Sequence, residues 1–442
     1  MKQESIKKKF NINKMTNEEV KKGALICNIA QKVPLFKDQE EANKIELVFL
    51  EGLGYPVVVE KDFYSIGAEV VYIQPDFCIG DIDIFQEYIR PDGDINKSKL
   101  GKVNGIPLRI RAKKFNLHTG DGNPIYSYGI ILPKIEVEKR FMTVNNLFKE
   151  LTHNSLHDII PEGELLDNLL CITKYEESEE KSNSILGGGH SLPFPNGVYK
   201  TDETNIFRLI NSVLFPIHLI GTVKVDGSSI TIGVTPEYPD GFICSRNLRK
   251  PLVIRKVVGY RHIFKNPKLN FIESILDSFY KFIMGRKYDR KIYQEQENMD
   301  PFVVYGKPIL EDLKYLCYDN LILRGELNGK GCKGSGNPKN PSAKLDTNII
   351  FFGIDYMRNG VAIKMPHEDY INTLGDLFLT TLSTIQYNCC PVVFNKVFET
   401  KEQLFKCCED YFKENFVEGI VVKTPDSSFS AKVMNLEYDS KK

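Results

Sequence analysis

The chain has 442 residues, enough for two or three domains that each bury a core. Lys plus Arg and Asp plus Glu stand at 58 each, so whole-chain charge names no partner and any nucleic-acid surface must be local. With 42% hydrophobic and 26% charged residues the composition is that of an ordinary globular protein, neither fibrous nor disordered. The ten cysteines form no C-x-x-C pair. Adjacent Cys389-Cys390 and Cys407-Cys408 are poorly spaced for one tetrahedral metal, so buried thiols are expected. No apolar run approaches the ~18 residues of a membrane helix and no secretory signal opens the chain, which predicts an intracellular protein of cytoplasm or nucleus.

Residues 1–45 read as a lysine-rich extension with a helix around NEEVKKGALICNIAQKV. Residues 46–150 turn to short β-rich runs, VVVEKDF, EVVYIQP, PLRIRAKKF and YSYGIILPKIEV, with turn pairs such as Asp92-Gly93 and Asp121-Gly122 between them. Short strands without intervening helices predict a small barrel or sandwich. An OB-like barrel is preferred because basic residues (Lys102, Arg109, Arg111, Lys113, Lys114) fall on its strands and loops; a generic β-domain with a charged face is the alternative. Residues 151–191 read as a helical connector followed by a flexible linker, YEESEEKSNSILGGGH. A second domain spans 192–442. It opens with a helix N-capped by Thr201 or Asp202, and continues in strand-like segments from HLIGTVKV to SAKVM, with helical stretches near 269–286, 368–387 and 401–414. The predicted class is α+β: an N-terminal β-barrel, then a mixed α/β domain with antiparallel sheets.

The chemistry gathers in that second domain. Lys224 ends an apolar run, and Asp226-Gly227 is a turn signal before the next strand, SSITIGV. Alone, this is also what an exposed lysine beside a hairpin turn looks like. A lysine can serve as a nucleophile only when neutral, and its free pKa is about 10.4, so a reactive site must supply cationic neighbours, a metal or desolvation. Downstream, Glu326 in RGELNG and Glu418 in FVEGIVVK each stand beside a glycine, as Asp226 does. Such acids suit a hard divalent ion, Mg²⁺ or Mn²⁺. Arg246 in CSRN, Lys423 and Lys432 offer cationic partners for phosphates. In FFGIDYM, Phe352 and Ile354 alternate with Phe351 and Gly353, so both are expected on one side of a strand, as core or as a platform beneath a purine.

The ordered series KVDG, CSRN, RGELNGKGCKGSGN, FFGIDYM, FVEGIVVK and SAKVMN resembles the motifs of the lysine nucleotidyltransferases, which include ATP-dependent polynucleotide ligases and mRNA-capping guanylyltransferases. The resemblance implies ATP and a divalent ion as cofactors, Lys224 as the residue that takes up AMP, and Asp226, Glu326 and Glu418 around the metal. Thr222, Val223, Gly227, Phe352 and Ile354 would then border the nucleotide. Only ten residues follow Lys432, too few for the C-terminal OB domain of DNA ligases and capping enzymes. With the basic β-module placed first, the chain is similar to RNA ligases that carry an N-terminal OB domain. That implies RNA with 3′-OH and 5′-phosphate ends as partner, a nicked duplex foremost, held by Arg109, Arg111, Lys113 and Lys114. A non-catalytic RNA-binding protein on a ligase scaffold is the reading from another class. Two positions depart from the pattern: Ile354 stands where the family usually has Phe, and Ser430-Ala431-Lys432 carries one lysine where Lys-x-Lys is usual.

Overall fold

The computed structural model describes residues 22–120, 122, 125–145, 156–160, 164–175, 192–262, 289–330, 332, 340, 344–380 and 388–441. The expected linker at 176–191 and the helical stretches at 146–155, 269–286 and 381–387 fall outside these residues.

The first β-strand corrects the sequence reading. Ala24–Val33, expected in a helix, is the central strand of a five-stranded antiparallel sheet. Its neighbours are Glu69–Ile73 on one side and Ile45–Leu50 on the other. Ala24 and Ile26 face one hydrophobic cluster while Leu25 and Ile29 face another. A strand covered on both faces reads as a continuous apolar run, which periodicity cannot tell from a buried helix. The β-module therefore begins before residue 46. The basic segment contributes Ile106–Arg109 to a second, four-stranded sheet, and Lys113–Phe115 to a separate pair with Ile125–Ser127. The end of YSYGIILPKIEV is helical, within Lys134–Val144.

The connector also proves to be part of this unit. Helices Leu156–Ile159 and Glu164–Leu169 bury Leu156, Leu166 and Leu169 in the cluster that holds Ile26, Val71 and Ile73. Asp167 accepts hydrogen bonds from the backbone N–H of Gly23 and of Ala24, both at 2.8 Å, which ties that helix to the start of the central strand.

Among the described residues, the second domain has two larger sheets and a two-stranded pair, Val253–His262 with Asp289–Glu297. One has four strands, in the order Val392–Phe398, Ile217–Lys224, Gly419–Lys423, Ser430–Met434. The other has seven, with Ser228–Thr235, Leu321–Asn328 and Asn348–Arg358 as consecutive neighbours. The helix Pro301–Tyr315, absent from the sequence reading, packs Ile309, Leu310 and Leu313 beneath the larger sheet. Its start is nevertheless legible: Asp300 accepts from the Phe302 N–H at 3.0 Å, and Pro301 takes the first helical position. The helix expected after Thr201 and Asp202 is shorter, Ile206–Leu209, and is capped by Asn205, whose side chain accepts from the Phe207 N–H at 3.0 Å.

Lys224-Val225-Asp226-Gly227 does not close a hairpin. Ile217–Lys224 belongs to the four-stranded sheet and Ser228–Thr235 to the seven-stranded one, so these residues carry the chain across the seam between the sheets. The N-terminal unit covers one end of that seam. Phe207 and Leu436 pack into its cluster of Tyr55, Tyr72 and Tyr128, and the Gly54 N–H donates to the Phe207 carbonyl at 2.7 Å.

Candidate active site

A cleft of about 360 Å³ opens at the seam, a size suited to a small-molecule ligand. It is lined by the residues from Thr222 to Ser229, by Arg246, Glu326, Phe352, Glu418, Lys423 and Lys432, and by Asp76 and Arg109 from the N-terminal unit.

Lys224 is the last residue of its strand and pairs in register with Gly419. Its Nζ donates to Glu418 Oε2 at 2.5 Å. Glycine is required beside Asp226 and Glu418 because backbones pass close. A Cβ on Gly227 would lie 2.5 Å from the Leu327 carbonyl oxygen, and one on Gly419 would lie 2.5 Å from that of Val433. Asp226 is buried; one carboxylate oxygen accepts from the Tyr438 hydroxyl at 2.7 Å, and its carbonyl accepts from Asn328 Nδ2 at 3.2 Å. Glu326 sits on the neighbouring sheet, opposite Ser229. Burial, reinforced by the nearby Glu418 and Asp226 carboxylates and only partly offset by Lys224, pushes its carboxyl up to about 8.

Among the described residues no three acids, histidines or cysteines already form a metal cage. The donor set still fits Mg²⁺ or Mn²⁺, which characteristically take one or two carboxylates and complete their shell with water and substrate phosphate. Thr222 is buried on the strand before Lys224, and the Val223 N–H is held by the Pro391 carbonyl at 3.0 Å.

Among the cations, Lys432, Arg109 and Arg246 are engaged with internal carboxylates. Lys432 Nζ lies 3.0 Å from Asp76, which also lies 3.4 Å from Arg109. Burial alone would raise the Asp76 carboxyl, but Lys432 and Arg109 outweigh it and hold it well below the usual carboxylate range. Arg246 and Lys174 share Asp202, the former at 3.7 Å. Asp202 is thus a bridge across the cleft mouth and not a helix cap. Lys423 is buried, donates to the Phe352 carbonyl at 3.2 Å and lies 5.1 Å from the centre of the Tyr370 ring. Desolvation lowers its pKa to about 8. In the antiparallel register Lys423 stands directly opposite Ser430, the position where Lys-x-Lys is broken.

Two groups of sequence-derived residues separate. Phe352 and Ile354 do not share a side. The strand bulges, with Gly325 opposite Phe351 and Arg324 opposite Gly353, so Phe352 is the extra residue. Phe351 and Ile354 go into the core, each 1% exposed, though Ile354 still borders the cleft at which Phe352 is half-buried. Likewise the four basic residues assigned to RNA do not form one face. Arg109 is in the cleft, its guanidinium 3.9 Å from the centre of the Tyr175 ring, whereas Lys113 and Lys114 lie on Lys113–Phe115, Lys113 exposed. Arg111 is half-buried between the two.

Three further participants stand outside the residues that the sequence motifs single out. Arg324 Nε donates to Asp355 at 2.8 Å and its Nη1 to Thr231 Oγ1 at 3.0 Å, under the Tyr199 ring. Tyr438 and Asp76 are the others. Arg324 stands in RGELNG itself; Tyr438 and Asp76 carry no local signal, because their partners are 212 and 356 positions away in sequence.

No family model matches the sequence, and no curated protein matches it. Solved structures do. An apo point mutant of the Naegleria gruberi RNA ligase superposes with a TM-score of 0.60 at 20% identity, covering 96% of this chain and 98% of that one. A mutant of that ligase with ATP and Mn gives 0.60 at 20%, covering 94% and 98%, and the ligase with PPi gives 0.56 at 20%, covering 94% and 97%. Over nearly its whole length, this chain has the mixed α/β fold, with antiparallel sheets, of an RNA ligase.

Proposed function

We propose that the chain is an ATP-dependent RNA ligase of the lysine nucleotidyltransferase superfamily, joining a 3′-OH to a 5′-phosphate, with its N-terminal unit an OB-like module. The observation that carries the reading is Lys224 at the sheet seam, ion-paired with Glu418 and enclosed in one cleft with Asp226, Glu326 and the cations Arg246, Lys423 and Lys432. A neutral Lys224 Nζ attacks the α-phosphorus of ATP. A nitrogen–phosphorus bond forms, pyrophosphate leaves, and the amine has given up its proton. Attack needs the Lys224 lone pair, so its contact with Glu418 must be given up first. The AMP then passes to an oxygen of the RNA 5′-phosphate, breaking the nitrogen–phosphorus bond. Attack of the 3′-hydroxyl on the phosphorus of the RNA 5′-phosphate finally forms the 3′–5′ bond, expels AMP and releases the hydroxyl proton.

Asp226, Glu326 and Glu418 would hold the divalent ion, whose contribution is to neutralise phosphate charge. The cation wall, now satisfied by Asp76 and Asp202, is where phosphates would exchange for carboxylates. Phe352 is the proposed contact for adenine. The neighbour structures with ATP and Mn, and with AMP and Mn, support the choice of cofactors.

Incubation of the protein with α-labelled ATP or GTP tests the reading. AMP, and not GMP, should become attached, and mass mapping should place it on Lys224. GMP attachment would favour a capping guanylyltransferase, and label on another lysine would overturn the assignment. Sealing assays with 5′-phosphorylated RNA and DNA nicks then define the substrate.

A further inference from the structure

The short C-terminal segment after Lys432 joins the Glu418 backbone, the Asp226 carboxylate and the N-terminal unit. Asn435 anchors it: its N–H donates to the Glu418 carbonyl at 2.9 Å and its Nδ2 to the Val417 carbonyl at 3.0 Å. The Asn435 Oδ1 in turn accepts from the N–H groups of Glu437 at 3.1 Å and Tyr438 at 3.3 Å, starting the helix Leu436–Lys441. One turn later the helix divides its contacts. Tyr438, 1% exposed with its ring 4.8 Å from that of Phe416, donates its hydroxyl to Asp226 Oδ2 at 2.7 Å. The Asn340 side chain also reaches that hydroxyl. Asp439, 4% exposed, accepts the Ala112 N–H of the N-terminal unit at 3.0 Å, while Leu436 packs into that unit's core.

We propose that Tyr438 is a positioning residue for Asp226, and that Asp439 makes this positioning depend on the seating of the N-terminal unit. The inference rests on Asp226 serving the metal in the adenylyltransferase reading. The buried phenol fixes one oxygen of the Asp226 carboxylate and so orients the group. The helix that carries the phenol is pinned on both sides, at Glu418 through Asn435 and at Ala112 through Asp439. Docking of the N-terminal unit and geometry of the acid are thereby one linked event, carried by adjacent residues on one helical turn. A ring that served packing alone would need no hydroxyl, and Phe would fill the same space.

The test uses the full chain and Mn²⁺ as the probe. Free Mn²⁺ is followed by electron paramagnetic resonance, in the presence of an ATP analogue with a methylene between the α- and β-phosphorus. Tyr438→Phe, which keeps the ring against Phe416, should weaken Mn²⁺ binding by about 10-fold, the usual effect of removing a hydrogen-bond partner from a ligand. Analogue binding without metal should be unchanged. Asp439→Ala should produce a similar loss, and the double variant should lose no more than the larger single one, because both break the same chain. Asp439→Asn retains an acceptor for the Ala112 N–H and should restore binding. Wild-type Mn²⁺ affinity in Tyr438→Phe would overturn the proposal, and so would a double variant whose loss is the product of the single losses. Labelling of the wild-type chain by ATP separately reads the adenylyltransferase assignment, so a chain that binds Mn²⁺ but transfers no nucleotide leaves the positioning result intact.

Discussion

At the scale of single residues, Lys224 and Lys423 are lysines in opposite circumstances. Lys224 is held by a carboxylate at 2.5 Å, whereas Lys423 is buried against a carbonyl and an aromatic face. Replacing Lys224 by Ala or Met should reduce label transfer from ATP to background while nucleotide still binds. The Met variant should still seal RNA supplied already adenylylated, which would place the defect in the first step. For Lys423 the expected consequence is a linked proton. Its folded pKa, about 8, lies below the unfolded value, so the neutral form is favoured on folding. The stability it contributes is fully present above the unfolded value and is lost as pH falls through about 8. A phosphate bound nearby reverses the preference. Metal-free ATP binding between pH 8 and 9 should therefore take up a proton, seen by calorimetry in buffers of different ionisation enthalpy. Lys423→Met should abolish the uptake, and binding heats independent of buffer in the wild-type chain would contradict the assignment.

At the scale of elements, the parts legible in the sequence are those whose cause is local. The segments at Lys224 and Glu418 carry glycines, Gly227 and Gly419, that close backbone approach demands, and with Glu326 they can be read in order along the chain. The Asp300-Pro301 helix start is equally local, though it was passed over. What escapes is set by distant partners. The bulge at Phe352 exists only because Leu321–Asn328 is its neighbour, and no alternation rule within FFGIDYM can show which residue is extra. The Arg324–Asp355 pair joins the same two strands with side chains only 2% and 3% exposed. An ion pair so deeply buried leaves an uncompensated charge when one partner is removed. Arg324→Ala should then cost about 3–5 kcal/mol in a denaturant titration. Arg324→Ala combined with Asp355→Leu should recover part of that loss. A denaturation midpoint unchanged in the single variant would show that the pair contributes nothing to the fold.

For the whole molecule, the decisive fact is that the N-terminal unit is not a separate arm. The sequence reading treats its basic residues as one RNA-binding set, remote from the lysine. Arg109 instead enters the cleft, where it shares Asp76 with Lys432, while Lys113 and Lys114 lie on an outer strand pair. Composition shows that the segment is basic, but only the packing of the two units divides its charges between tasks. The division predicts two phenotypes. Arg109→Ala changes the electrostatics of the cleft, so it should slow lysine–AMP formation itself, measured by labelling at low ATP. Neutralising Lys113 and Lys114 should spare labelling and weaken RNA binding by up to two phosphate contacts, each lowering the salt slope by about 0.7 to 0.9. Equal effects of both changes on labelling would return Arg109 to the outer set. Unchanged RNA affinity and salt slope on losing Lys113 and Lys114 would mean that this strand pair is a solvated face, and that RNA is held elsewhere.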